Sequence, residues 1–257
     1  MKKFSVVLAV FNEEKNIREC LESVKWADEI IVVDGTSTDK TVEIVKEFTP
    51  HVFETDNKQL FHINKNMAIE KATGDWVLQL DADERVTKEL KDEMFQVIES
   101  DPPYAAFYLP RKNFFLGRFL KKGGQYPDYV IRLFRCGKAH LPAKHVHEQM
   151  VVDGLVGRLS HELIHMADPT FERYLMRSDR YTSLEATLML EKGVKPSFFF
   201  AVSSLFIKPV STFFSLYLRH KGFQDGFPGL VFAMYSGIHY ATSYIKFWEK
   251  YNETHRH

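Results

Sequence analysis

The sequence predicts an α/β protein: a doubly wound, mostly parallel sheet followed by an aromatic-rich helical C-terminal extension. Three observations lead there. Between Phe4 and Leu80, short apolar β-branched runs alternate with stretches of helical spacing, the pattern of repeated β-α units. Polar clusters come directly after those runs, where strands of such sheets end and functional groups gather. After Pro196 the composition changes and phenylalanine becomes dense.

The elements follow in order. Phe4 to Val10 is almost wholly apolar, as in a strand buried on both faces. Asn12 to Val24 carries Ile17, Leu21 and Val24 on one helical face. Glu29 to Val33 is a second buried strand, and Thr38 and Asp39 open a helix with Val42, Ile44 and Val45. His51 to Phe53 is a short third strand. Ile63 to Ala72 is a helix closed by Gly74, and Trp76 to Leu80 is the fourth strand. Beyond Pro102, strands are expected at Tyr104 to Pro110, at the end of Gly123 to Arg135, and within the glycine-separated runs of Val151 to Ile164. Phe171 to Lys192 has helical spacing. The expected division is a sheet domain over 1–192 and a helical extension over 193–257.

Composition narrows the function classes. Hydrophobic residues make up 45% and charged residues 26% of 257, enough for an ordinary core. Lys plus Arg and Asp plus Glu number 34 each, which argues against a nucleic-acid partner recruited by bulk charge. Cys20 and Cys136 form no CxxC pair, so a disulfide framework is not expected and a reducing compartment fits. Lys2-Lys3 and the apolar run to Phe11 imitate the start of a signal peptide. Asn12-Glu13-Glu14-Lys15 follows at once without a cleavage site, and a cytoplasmic location is expected.

Asp81-Ala82-Asp83 directly follows the fourth strand. Two carboxylates flanking one residue at a strand end can face a cleft, and Mg²⁺ or Mn²⁺ takes such oxygen ligands, with a nucleotide diphosphate completing the shell. Asp34, closing the second strand, is positioned to accept from a base N–H or a ribose hydroxyl. Gly35 eases the turn that follows, and Thr38 or Asp39 caps the next helix.

Val7 to Glu14, Asp34-Gly35-Thr36-Ser37-Thr38-Asp39 and Leu80-Asp81-Ala82-Asp83-Glu84-Arg85 together resemble family 2 glycosyltransferases of the GT-A fold, the nucleotide-diphospho-sugar transferase fold. The subgroup with the strongest resemblance builds lipopolysaccharide core and includes heptose glucosyltransferases. The resemblance covers residues 4 to about 192 and continues loosely through His220 to Gly226. It implies that Asn12 and Glu13 lie along the nucleotide, that Asp34 reads the base, usually uracil, and that Lys65 and Asn66 face the donor. It further implies that Asp81 touches ribose or sugar and that Asp83 binds the metal. Gly35 stands where the family usually has Ser, a departure the turn accommodates.

Inverting transfer needs a carboxylate to take the acceptor proton. Arg132 to Arg135 followed by Val146-His147-Glu148 is similar to a segment in which the Glu serves as base, so Glu148 is the first candidate and Asp128 the second. Arg132 is a candidate for holding a phosphate or acceptor group, or else an exposed strand charge. His165 resembles a late His reaching the metal or diphosphate.

Two other classes compete. His161-Glu162-Leu163-Ile164-His165 matches the HExxH pattern of zinc hydrolases, which requires a helix to bring both His to one ion. Gly154 and Gly157 before it and Asp168-Pro169 after it favour a strand entering a loop. The third class is a non-catalytic, membrane-associated module. It draws on the tail, where the apolar run from Phe198 to Lys208-Pro209 is too short to span a bilayer, while Gly226 to Ile245 is long enough but carries Pro228, Ser236, His239, Thr242 and Ser243. Apolar aromatic faces flanked by basic residues suit helices lying in the membrane interface. The expectation is therefore a peripheral enzyme on the inner face of the cell membrane, using a UDP-sugar donor and a lipid-anchored saccharide acceptor.

Overall fold

The computed structural model describes residues 2–57, 61–142 and 149–255. They fall into two compact units: Met1–Arg111 with Asp128–His165, and Lys112–Pro127 with Met166–His257.

The expected alternation is realised as β1 (Phe4–Val10), α1 (Ile17–Val24), β2 (Glu29–Asp34), α2 (Thr41–Lys46), β3 (Val52–Glu54), α3 (Phe61–Glu70) and β4 (Trp76–Leu80). There follow β5 (Glu84–Val86), α4 (Lys88–Glu99), β6 (Tyr104–Phe115), β7 (Arg118–Phe119), β8 (Asp128–Arg135), β9 (Ala139–His140), β10 (Val151–Val152), β11 (Leu155–Arg158) and β12 (Leu163–Asp168). The chain closes with α5 (Phe171–Glu191), α6 (Phe198–Val202), α7 (Lys208–Phe214) and α8 (Gly226–Thr254).

In the first unit the sheet runs β3-β2-β1-β4-β8-β6. The pairs β1–β2, β1–β4 and β2–β3 are parallel, and β8 is antiparallel to both β4 and β6. Side chains alternate across the pleat. Phe4, Val6, Leu8 and Val10 join a core with α1 residues Ile17, Cys20, Leu21 and Val24, while Val7 joins Ile31, Val33, Val77 and α3 residues Ala68 and Ile69 on the other face. Both faces are thus covered, the reason β1 and β4 read as continuous apolar runs.

Several local expectations shift. The first helix begins at Ile17 rather than Asn12, because Asn12 is left-handed (φ 54°) and the Glu13 carbonyl instead accepts from the Asn16 and Ile17 amides. Helix α2 starts at Thr41, with Asp39 Oδ1 accepting from the Thr41 amide at 3.0 Å. The sequence pattern left Lys88–Glu99 unassigned; it is a helix, with Thr87 Oγ1 accepting from the Leu90 amide at 3.1 Å. Neither cysteine is bridged: Cys20 is buried, where burial pushes its thiol pKa up, and Cys136 is exposed.

In the second unit α5 packs along α8. Phe115, Leu120, Tyr174 and Val231 form one core, and Ala186, Tyr244 and Phe247 another. The expected boundary after residue 192 therefore differs from the division into units, since α5 buries Tyr174 and Ala186 with the helical tail. Phe198–Arg219 is one continuous 22-residue helix containing a stretch of mean hydropathy 1.5, so the chain does not break at Lys208-Pro209. Two π turns, Ser203–Ile207 and Ser215–Arg219, flank α7. The first immediately precedes α7 and widens the helix where Pro209 brings a ring and no N–H.

The segment His220 to Gly226 turns the chain into α8. Asp225 is buried there and accepts from the backbone amides of Lys121 at 3.0 Å and Lys122 at 2.7 Å. Gly237 allows close helix contact, since a Cβ at that position would stand 2.5 Å from the Pro209 carbonyl oxygen.

Candidate functional site

The loops leaving β1 and β2 are laced together by polar side chains. Asn12 takes the Ser37 hydroxyl as acceptor for its backbone amide (2.8 Å), and its Oδ1 accepts from the Thr38 amide (2.8 Å). The Glu13 amide donates to Thr41 Oγ1 at 2.7 Å. Asp34 is buried, and its oxygens accept from the Ser37 amide at 2.8 Å and the Ser37 hydroxyl at 2.6 Å. This carboxylate therefore shapes its own loop. The positive φ that the turn requires falls on Thr36 (63°) rather than Gly35. Gly35 instead lies tight against the Asn57 backbone, where a Cβ would come within 3.3 Å.

At the end of β4 an ionic network is built around the two-carboxylate turn. Asp81 is paired with Lys65 from α3 and with Arg132 from β8, the latter at 2.5 Å. Arg132 also donates to Gln79 Oε1 at 2.5 Å and to Glu84 Oε1 at 2.8 Å. Glu84 is wholly buried, and its Oε2 accepts from the Asp81 amide at 3.0 Å while the Glu84 amide returns to the Asp81 carbonyl at 2.9 Å. Arg111 reaches Glu84 at 3.4 Å and holds Asp128 through Nε and Nη2 at 2.9 and 2.7 Å. Three cations thus oppose three carboxylates. Burial is the largest single influence on Asp81 and raises its pKa, but Arg132, Lys65 and Arg111 together hold it well below the usual carboxylate range.

Asp83 has a different neighbour. Strand β12 runs antiparallel to β5 with His165 opposite Glu84. That register sets His165 Nε2 3.6 Å from Asp83 Oδ2, with both side chains largely buried (10% and 16% exposed). Adjacent ligands of one small divalent ion, each near 2.1 Å from it, stand about 3 Å apart. A carboxylate and an imidazole at this separation therefore fit two positions of a divalent cation shell. Among the described residues no group of three or more His, Cys, Asp or Glu comes together as a metal cage.

The sequence-derived residues sort accordingly. Lys65, Asp81 and Arg132 come together, Asp83 and His165 come together, and Asn12, Glu13 and Asp34 line the ends of β1 and β2. One reading is corrected, and two further candidates have partners within the protein. Arg132 is not an exposed strand charge; its guanidinium is buried and engaged by Asp81, Glu84 and Gln79. Asn66 clasps the backbone of Leu141 through both ends of its amide, at 2.7 and 2.9 Å, because a carboxamide offers the donor and acceptor that one residue's C=O and N–H require. Asp128 Oδ2 is engaged by Arg111 through Nε and Nη2. Glu148 lies outside the described residues.

Sequence reasoning missed Gln79, Glu84 and Arg111. Gln79 had a signal, being the polar residue in the otherwise apolar strand WVLQL. Glu84 lay inside a recognised motif without a role, and Arg111 carried no signal.

The HExxH pattern does not form a zinc site. Leu163 to His165 is strand, and residues four apart on an extended chain are separated by about 13 Å. His161 Nδ1 meets Glu93 at 2.9 Å, whereas His165 meets Asp83.

The family model "Glycosyl transferase family 2" matches residues 5–155. The chain is 26% identical over 258 residues to the lipopolysaccharide core biosynthesis glycosyltransferase LpsC of Rhizobium meliloti, covering 96% of this chain and 92% of that protein. It is 27% identical over 250 residues to an uncharacterized glycosyltransferase of Rickettsia prowazekii, covering 90% and 82% respectively. Among solved structures, S. aureus TarS 1–349 in complex with UDP-GlcNAc superposes with a TM-score of 0.50 at 20% identity, over 93% of this chain and 81% of that one. With a covered parallel sheet, a two-carboxylate turn at the end of its fourth strand and that family match, the chain belongs to glycosyltransferase family 2 and has the GT-A fold.

Proposed function

We propose that the protein is a metal-dependent, inverting hexosyltransferase. It moves a sugar from a nucleotide donor, with UDP-hexose the first choice, to a membrane-anchored saccharide such as lipopolysaccharide core, on the inner face of the cell membrane. The observation that carries the reading is the Asp83–His165 pair beside the Asp81 network at the carboxyl end of β4. LpsC, named for lipopolysaccharide core biosynthesis, supports the acceptor class. The UDP-GlcNAc complex of TarS makes UDP the first nucleotide to test.

Asp83 and His165 would hold a divalent cation, Mg²⁺ or Mn²⁺, which would supply positive charge to the departing diphosphate. An imidazole ligand favours Mn²⁺ over the harder Mg²⁺. Lys65 and Arg132 keep Asp81 ionised and fixed in direction, ready to accept from a donor hydroxyl. Glu84, by accepting the Asp81 amide, fixes the turn that presents both carboxylates. Asn12, Glu13 and Asp34 stand along the nucleotide. Glu148, assigned by the resemblance of its segment, takes the acceptor proton. The acceptor oxygen bonds to the anomeric carbon as the bond to the diphosphate oxygen breaks on the opposite face, which inverts the configuration.

Calorimetric titration with UDP, with and without Mn²⁺, tests the donor site. The wild-type protein is expected to bind in a metal-dependent manner, and Asp83→Ala to abolish that dependence with the fold intact. Metal-dependent binding unchanged by the substitution would remove the metal assignment. A product of retained anomeric configuration would remove inversion, and lipid binding with no donor turnover under any condition would favour the non-catalytic module.

A further inference from the structure

We propose that the outward face of the Phe198–Arg219 helix and its partner α8 lies in the plane of an anionic bilayer surface, rings among the acyl chains and cations against lipid phosphates. This deepens the membrane part of the reading above and rests on no feature of the transfer chemistry.

The face itself is regular. Phe206, Val210, Phe214 and Leu218 recur every fourth residue, which aligns them along one side of a helix, and each is more than half exposed. Phe198 and Phe199 extend it at one end, and α8 adds exposed Phe227, Ile245 and Trp248. Scattered exposed apolar residues are ordinary, but a contiguous apolar helical face marks an interaction surface.

Charge identifies the occupant. From Lys192 to Gln224 the chain carries Lys192, Lys195, Lys208, Arg219 and Lys221 and no Asp or Glu, in a protein whose basic and acidic residues are equal in number overall. The next carboxylate, Asp225, is buried against backbone amides. A second copy meeting this face through two-fold symmetry would set like charges against one another, whereas anionic lipid headgroups meet them with opposite charge.

The same residues choose lying over spanning. A 22-residue helix is about 33 Å long, enough to cross a bilayer. Lys208 stands at its middle, so a spanning helix would set an ammonium near the hydrocarbon centre, where charge is least tolerated. Its Nζ lies 5.7 Å from the Phe200 ring and 5.5 Å from the Tyr240 ring, and in an in-plane helix its stem can reach the headgroups. On its other side α8 is tied to charged groups of α5, with His239 3.1 Å from Glu185 and Lys246 2.6 Å from Asp179. That side does not suit lipid.

The test is flotation of the purified full-length protein with phosphatidylcholine vesicles, with and without phosphatidylglycerol, alongside UDP calorimetry. Binding is expected only with phosphatidylglycerol and is expected to weaken as salt rises. Replacing Lys192, Lys195 and Lys221 by Gln lowers affinity roughly fivefold per charge. Phe206→Ser combined with Phe214→Ser lowers it tenfold or more, with circular dichroism and UDP binding unchanged. Equal binding to neutral vesicles, or no flotation while UDP binding is intact, overturns the proposal. So does retention in native membranes after alkaline carbonate, which marks a span, or self-association that the Phe variants abolish. Loss of UDP binding with flotation retained overturns the donor-site reading and leaves this one standing.

Discussion

In the sheet unit Glu84 is 0% exposed and Arg132 only 8%, whereas in the helical unit Phe199 is 83% exposed. One unit hides charges that water would hold well, and the other shows water rings that a core would hold well. Each choice works against the usual partition of side chains. The buried charges survive because every one named here has an opposite partner within hydrogen-bonding or ion-pair distance. The exposed rings have no such compensation inside their own unit, which is why they point to something beyond the chain. Departures from ordinary burial are where sequences keep function at the expense of stability.

The largest way to break this comparison is Glu84→Ala. It leaves Arg132 and Arg111 without their shared buried carboxylate, and a loss of about 3–5 kcal/mol in denaturant unfolding is expected. A change under 1 kcal/mol would show that the network is dispensable. For activity, Asp83→Ala is expected to lower turnover about 10²–10³-fold while leaving the unfolding midpoint close to wild type. In the helical unit, Gly237→Val forces a side chain toward the Pro209 carbonyl, where a Cβ would stand at 2.5 Å, and is expected to cost about 1–3 kcal/mol in thermal unfolding.

The two units also separate by pH. Asp81 titrates below its unfolded value, so its stabilisation is present above about pH 4 and is lost as pH falls through its depressed native pKa. Tyr174 is pushed up to about 12, first by burial and then by Asp168. Its contribution is present below about pH 10 and is lost as pH rises toward 12. Stability followed against pH should therefore show an acid limb flattened by Asp81→Asn and an alkaline limb flattened by Tyr174→Phe. The smallest effect expected is Phe214→Ser, within about 0.5 kcal/mol in aqueous solution, because the ring is already half in water. A larger loss would mean that the ring is structural after all.

The first four strands and three helices were legible because hydrophobic periodicity is a local property. The two-carboxylate turn was legible because it follows an apolar run directly. The helix Lys88–Glu99 was not assigned from its pattern, although buried Leu90, Met94 and Ile98 recur at helical spacing and Thr87 caps it. The tail was misread at Lys208-Pro209, because proline usually ends a helix and no local rule announces the π turn beside it.

By itself the sequence determined which residues are the candidates: Asp81, Asp83 and Asp34 from their place at strand ends, Lys65 and His165 from the family resemblance, and the basic, ring-rich tail. It did not determine who meets whom. Arg132 reaches Asp81 because β8 enters the sheet antiparallel beside β4, and His165 reaches Asp83 because β12 registers on β5 with His165 opposite Glu84. Asn66, which the family resemblance sets facing the donor, clasps the Leu141 backbone from its place on α3. Strand order and register are set by packing summed over whole faces, and a one-residue slip of β8 or β12 would turn Arg132 or His165 to the other side of the sheet.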